Sequence, residues 1–189
     1  IYIRKEECKE WGLKFETKLD MANEMIGKLR LPREYQVSLM FDNWYLNEQV
    51  TEAAEKRGWK WISRCARNRS VLWEGEKKWQ NFQNYVPTID WQGLTYATNR
   101  KNPAVVGHQR IGYLKKLGRI KIVFSSLVAD GSEKWAAFCT NYTNLPMVTV
   151  VSRFEKRWKI EVFFKEARKC FALGRWQYRN IVSVVSHLC

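Results

Sequence analysis

Residues 154–169 read Phe-Glu-Lys-Arg-Trp-Lys-Ile-Glu-Val-Phe-Phe-Lys-Glu-Ala-Arg-Lys, with no proline or glycine and many good helix formers. Such a stretch predicts one uninterrupted helix. At about 100° per residue, Arg157, Glu161, Lys165 and Arg168 fall on one continuous stripe. Trp158, Val162 and Phe163 lie to one side of it, and Ile160, Phe164 and Ala167 to the other. A helix of this kind, held by apolar neighbours, displays a single acid framed by cations. Taken alone, the stripe also reads as a solvated face of i,i+4 ion pairs, with Glu161 a partner of Arg157 and Lys165.

A second stretch shifts that balance. Val37-Ser38-Leu39-Met40-Phe41 is a short apolar run, read as a buried strand, and it ends on Asp42 before Asn43-Trp44-Tyr45. In open α/β sheets, functional groups collect at the carboxyl ends of strands. An acid there and an acid on a later helix can together supply oxygen ligands for a divalent metal. The plain alternative for Asp42 is a turn or N-cap acid.

The rest of the chain predicts an α/β arrangement, with helices packed on a sheet. Residues 1–3 read as a strand and residues 6–15 as a polar connection. Residues 16–29 read as a helix on the spacing of Leu19, Ala22, Met25, Ile26 and Leu29, with Pro32 beyond its end. A second amphipathic helix covers residues 46–57 up to Gly58, and residues 59–64 form the next strand. Further on, Arg64, Arg67, Arg69, Lys77 and Lys78 interleave with Trp73, Trp79 and Phe82. Strands are expected at residues 91–98, 111–117, 120–124 and 134–139, the last two joined through a turn at Asp130-Gly131-Ser132.

Composition narrows the partner. A chain of 189 residues can bury a real core as one domain, and 46% hydrophobic residues exclude disorder. The formal charge of +14 points to a polyanion, either nucleic acid or an anionic membrane surface. No run nears the roughly 18 apolar residues of a membrane span and no signal peptide opens the chain, so nucleic acid is the better reading. Five scattered cysteines with no C-x-x-C pair argue against a disulfide framework or a zinc site, and suit a reducing cytosol. His108 and His187 show no ligand spacing. The chain starts at Ile1 in a strand-like segment and stops at Cys189 in an apolar one, and so reads as an interior piece of a longer protein.

Asp42 within Phe-Asp-Asn-Trp-Tyr, followed by Phe154-x2-Arg157-x3-Glu161-x6-Arg168, resembles the insertion-sequence DDE transposases of the IS-four-like group, whose signature is Tyr-x2-Arg-x3-Glu-x6-Lys. Leu173-Gly174-Arg175-Trp176-Gln177-Tyr178-Arg179-Asn180 is similar to that group as well. Phe154 replaces a Tyr, which removes a hydroxyl that could contact phosphate, and Arg168 replaces a Lys with a planar fork.

The resemblance implies an RNase H-like (retroviral-integrase-like) core: residues 1–64 its first part, residues 65–142 a mainly β insertion, and residues 143–189 the helical part carrying Glu161. It implies an enzyme that cleaves and joins DNA strands at transposon ends with Mg²⁺ or Mn²⁺. Asp42 and Glu161 would be catalytic metal ligands, and Arg157, Lys165, Arg168 and Lys169 would contact DNA. The implied partners are double-stranded DNA and a second subunit in a synaptic complex, with no membrane, in a prokaryotic-type, nucleoid-associated setting. The first acid of the family triad has no convincing place here, since Asp20 lies within a helix, Asp90 beside a proline and Asp130 in a turn. It is expected upstream of Ile1, which would leave this piece inactive by itself. Two other readings stay open: a related metal nuclease that does not join strands, and a basic DNA-binding module or decayed remnant without catalysis.

Overall fold

The strand that ends at Asp42, β1 (Ser38–Phe41), pairs in parallel with β2 (Lys60–Cys65), Phe41 opposite Ser63. The computed structural model describes residues 3–95, 103–131 and 134–170. Six further strands join these two: β3 (Ser70–Trp73), β4 (Trp79–Asn81), β5 (Gln92–Gly93), β6 (Val106–Leu114), β7 (Gly118–Ser126) and β8 (Ala136–Thr140). They make one sheet in the order β1-β2-β8-β7-β6-β3-β4, with β5 also on β6. Among the described residues, every pairing other than β1 with β2 is antiparallel. The fold is therefore mixed α/β with a mostly antiparallel sheet, and the strands of residues 65–142 continue the sheet that β1 and β2 begin.

The helices are α1 (Lys5–Glu10), α2 (Lys18–Lys28), α3 (Glu48–Glu55), α4 (Phe82–Tyr85), α5 (Met147–Glu155) and α6 (Trp158–Cys170). α2 begins where a capping box fixes it. The Thr17 hydroxyl accepts from the Asp20 amide, and the Asp20 carboxylate accepts from the Thr17 amide at 2.9 Å. Asp20 is thus a cap at the third helical position rather than a mid-helix acid, and the Thr17 hydroxyl holds its carboxyl below the usual range. At α3 the Asn47 side chain accepts from the Val50 amide, and the segment closes at Gly58 with φ +71°, a left-handed position suited to glycine.

Alternation along each strand sends neighbouring side chains to opposite faces of the sheet. One face buries Phe41, Trp61, Trp73 and Phe124 beneath Val50 and Ala54 of α3. The other buries Ile62, Val123 and Phe138 against Val150, Val151 and Phe154 of α5.

Several expectations need correction. The polar connection over residues 6–15 contains α1, whose Cys8 is buried. The strand expected at residues 111–117 begins earlier, at Val106, and ends at Leu114. Residues 115–117 form the turn to β7, with Lys116 at φ +68° and Gly118 at φ +72°. Of residues 91–95 only Gln92–Gly93 is strand, and residues 96–98 lie outside the described residues. So do Ile1, Tyr2, Ser132, the Leu173 to Asn180 motif and His187. The predicted long helix is two. α5 ends at Glu155, and α6 begins at Trp158 after a turn at Lys156 and Arg157 tightened by the Lys159 amide to Lys156 carbonyl bond. The break comes where Phe154 is fixed in the core against Phe138, with ring centroids 5.0 Å apart. Among the described residues of α6, Trp158, Ile160, Val162, Phe163 and Phe164 are exposed and Ala167 alone is buried.

β6 passes close to β3 at Gly112. A Cβ there would stand 2.7 Å from Val71 Cγ2 and 2.9 Å from the Leu72 carbonyl oxygen, a backbone atom that cannot step aside. Gly112→Ala is expected to cost about 1–3 kcal/mol of stability through overpacking. An unchanged midpoint in urea unfolding would show that the two strands part freely.

Candidate active site

The chain divides into two compact units, Ile1–Phe154 and Glu155–Cys189. Asp42 belongs to the first and Glu161 to the second.

In the first unit, buried Phe41 anchors the end of β1 and delivers Asp42 to the surface. The Asp42 backbone is extended, and its carbonyl accepts from the Tyr45 amide at 2.9 Å to start a short 3-10 turn, Asn43–Tyr45. The carboxylate therefore projects from the carboxyl end of a strand. Because β1 and β2 are parallel and in register, Arg64 stands one step past the partner of Phe41 and is exposed there. Sequence reasoning placed Arg64 in the basic middle of the chain without linking it to Asp42; only the parallel register makes that link. Trp44 is 73% exposed, with the Lys18 ammonium 5.9 Å from its ring centre.

In the second unit, Arg157 immediately precedes α6 and Glu161 lies in its first turn. Arg157 Nη2 donates to Glu161 Oε1 at 2.6 Å, so the i,i+4 pair of the stripe is formed. Glu161, Lys165, Arg168 and Lys169, with Phe164, line one cavity of about 600 Å³. The charges also suit the helix. An acid near the amino end and Arg168 and Lys169 in the last turn both complement its dipole.

Each carboxylate by itself is of the chemical type that a hard divalent ion accepts, since carboxylate oxygens are what Mg²⁺ takes from protein while keeping waters as other ligands. Among the described residues no three His, Cys, Asp or Glu side chains gather into a metal-holding group. Cys8, Cys65 and Cys139 are buried free thiols and Cys170 is an exposed one. No helix among the described residues is long and apolar enough to cross a membrane.

No curated protein matches the chain. The family model of the transposase DDE domain matches residues 17–189 and so takes in β1 with Asp42, the whole sheet and the Glu161 helix. With nearly its full length inside that match, the chain belongs to the DDE-domain transposases.

Proposed function

We propose that this chain supplies the catalytic part of an insertion-sequence transposase of the Tyr-x2-Arg-x3-Glu-x6-Lys group, with an RNase H-like core, acting on double-stranded DNA at transposon ends. The observation that carries the proposal is the cavity on α6. There Glu161 shares one concave surface with Lys165, Arg168 and Lys169 and is oriented by Arg157, in a chain of the DDE transposase family.

Asp42 and Glu161 are the residues that would hold Mg²⁺ or Mn²⁺. When bound, such an ion would supply Lewis-acid chemistry to the oxygens at the reacting phosphorus. The remaining work falls to side chains. Arg157 fixes the rotamer of Glu161, so that its second oxygen points in a set direction. Lys165, Arg168 and Lys169 neutralise the phosphates flanking the reacting bond and hold the strand in register without reading its sequence. A second subunit in the synaptic complex would bring the other transposon end.

Two measurements test the reading. Metal-dependent strand transfer to a target duplex separates a transposase from a nuclease, which would cut and leave the ends unjoined. Salt dependence tests the cations. Arg168→Ala should flatten the slope of log affinity against log salt for a transposon-end duplex by about one unit, and Arg157→Ala by a similar amount. Slopes equal to that of the parent protein would exclude direct phosphate contact by these residues.

A further inference from the structure

The segment between β1 and α3 carries Asp42 on very little structure. Its 3-10 turn, Asn43–Tyr45, closes with the Tyr45 amide on the Asp42 carbonyl at 2.9 Å and the Leu46 amide on the Asn43 carbonyl at 3.2 Å. So short a turn holds its shape weakly. Trp44 adds little burial, and two buried side chains bracket the turn, Phe41 before it and Leu46 after it. The Leu46 carbonyl falls between the turn and the next helix. α3 starts its ladder one residue later, with the Asn47 carbonyl accepting from the Thr51 amide, and the Val50 amide goes to the Asn47 side chain. A guanidinium from beyond β2 takes up the Leu46 carbonyl instead: Arg69 Nη2 donates to it at 2.9 Å.

Arg69 is itself firmly placed. It ends the turn after β2, where its amide donates to the Ala66 carbonyl at 3.2 Å, and its own carbonyl accepts at 3.0 Å from the amide of fully buried Phe82. Arg67 in the same turn is engaged likewise. Its Nη2 donates to the Trp135 carbonyl, and its guanidinium lies 4.7 Å from the Trp135 ring centre. Two of the cations that interleave with tryptophans in the sequence therefore serve backbone carbonyls of this chain. Because β1 and β2 run parallel, the turn holding Arg69 and the turn that follows Asp42 emerge at the same end of the sheet.

We propose that Arg69 is a positioning residue for Asp42: its bond to the Leu46 carbonyl locks the turn that sets the direction in which the Asp42 carboxylate leaves β1. This rests on the reading of Asp42 as a metal ligand and adds to it a residue that touches neither metal nor DNA. Mg²⁺ tolerates little departure from octahedral geometry, so a ligand on a loose turn binds it poorly. Groups that orient a ligand weigh on affinity nearly as much as the ligand does. The Leu46 side chain stays buried with or without Arg69, so loss of the bond should loosen the turn and leave the sheet folded.

The test uses the full-length protein with Arg69→Met, which keeps an apolar stem and removes the donor, and Arg69→Lys, which restores one. In metal-free buffer the Tyr45 and Leu46 amides of Arg69→Met should lose protection from hydrogen exchange, while the β6–β7 ladder keeps its own. The Mn²⁺ concentration that half-saturates cleavage of a transposon-end duplex should rise by about 10-fold. Affinity for that duplex in EDTA should match the parent, and Arg69→Lys should recover most of both losses. Unchanged exchange, or an unchanged Mn²⁺ dependence, would overturn the proposal. So would weaker duplex binding in EDTA with a flatter salt slope, which would make Arg69 a phosphate contact. Faster exchange throughout the sheet would overturn it too, by making Arg69 a general support of the fold. Asp42→Asn separates this proposal from the reading beneath it. If Asp42→Asn cleaves at the parent's rate, the metal role of Asp42 fails and the role of Arg69 with it. If Asp42→Asn loses cleavage while Arg69→Met keeps the parent's Mn²⁺ dependence, the role of Arg69 alone fails.

Discussion

Changing Glu161 to Gln in the full-length protein is expected to lower Mg²⁺-dependent cleavage of a transposon-end duplex by roughly 10³-fold or more, because a lost metal ligand removes several kcal/mol of transition-state charge stabilisation. Asp42→Asn should do the same. Both substitutions are isosteric. Asp42 is exposed and the Glu161 side chain is 41% exposed, so neither change disturbs a packed core. In Glu161→Gln the new amide oxygen can still accept from Arg157, so the start of α6 should keep its geometry. Duplex binding without metal should hold, or tighten slightly, since one negative charge facing the phosphates is gone. This pairing of lost cleavage with retained binding separates a ligand from a merely structural ion-pair partner. If Glu161→Gln cleaves as fast as the parent, the carboxylate serves only Arg157. The chain would then be better described as a basic binding module, with metal-independent, salt-sensitive affinity.

Much of the local geometry around Asp42 and Glu161 was legible because its signals are local. The Arg157–Glu161 contact follows from i,i+4 spacing alone, and Asp42 at the end of a strand follows from an apolar run that stops at a carboxylate. The helix α2 was readable for a similar reason, with apolar residues at helical spacing, although its first turn was set by a Thr17–Asp20 box that periodicity does not record. What failed was non-local. Helix propensity favours continuation through Lys156 and Arg157; the break answers to the burial of Phe154 among Ile62, Val123 and Phe138, which no window around Phe154 contains. The first half of β6 was missed where Gly107 looks like a strand breaker. Gly107 is there for close approach beneath the Met147 sulfur, as Gly112, within the expected strand, is beside β3. The remaining residues of β6 mix His108, Gln109 and Arg110 because this strand is buried unevenly, which blurs the period-two pattern.

The other large effect is structural and bears on how Asp42 is held. Among the described residues β1 is an edge strand whose only sheet neighbour is β2, so its position depends on what fixes β2. Trp61 does much of that. It is fully buried, its ring lies 5.9 Å from that of Phe41, and its Nε1 donates to Glu55 Oε1 on α3 at 2.8 Å. Its amide donates to the Asn141 side chain, and its carbonyl accepts from the Thr140 hydroxyl. Trp61→Ala leaves those backbone bonds but opens a cavity beneath Phe41 and detaches α3 from the strand, at an expected cost of about 3–5 kcal/mol. Trp61→Phe keeps most of the buried ring and loses only the bond to Glu55, an exposed carboxylate that water can satisfy, so about 1 kcal/mol is expected. Urea unfolding checks the two values. Equal losses would mean that the indole N–H matters more than the ring, contrary to the packing argument. Amide exchange distinguishes a local from a global consequence. With Phe41 unsupported, the β1–β2 ladder should lose protection before the β6–β7 ladder does, and Trp61→Ala should then blunt cleavage at Asp42 under conditions where the rest of the sheet is still folded.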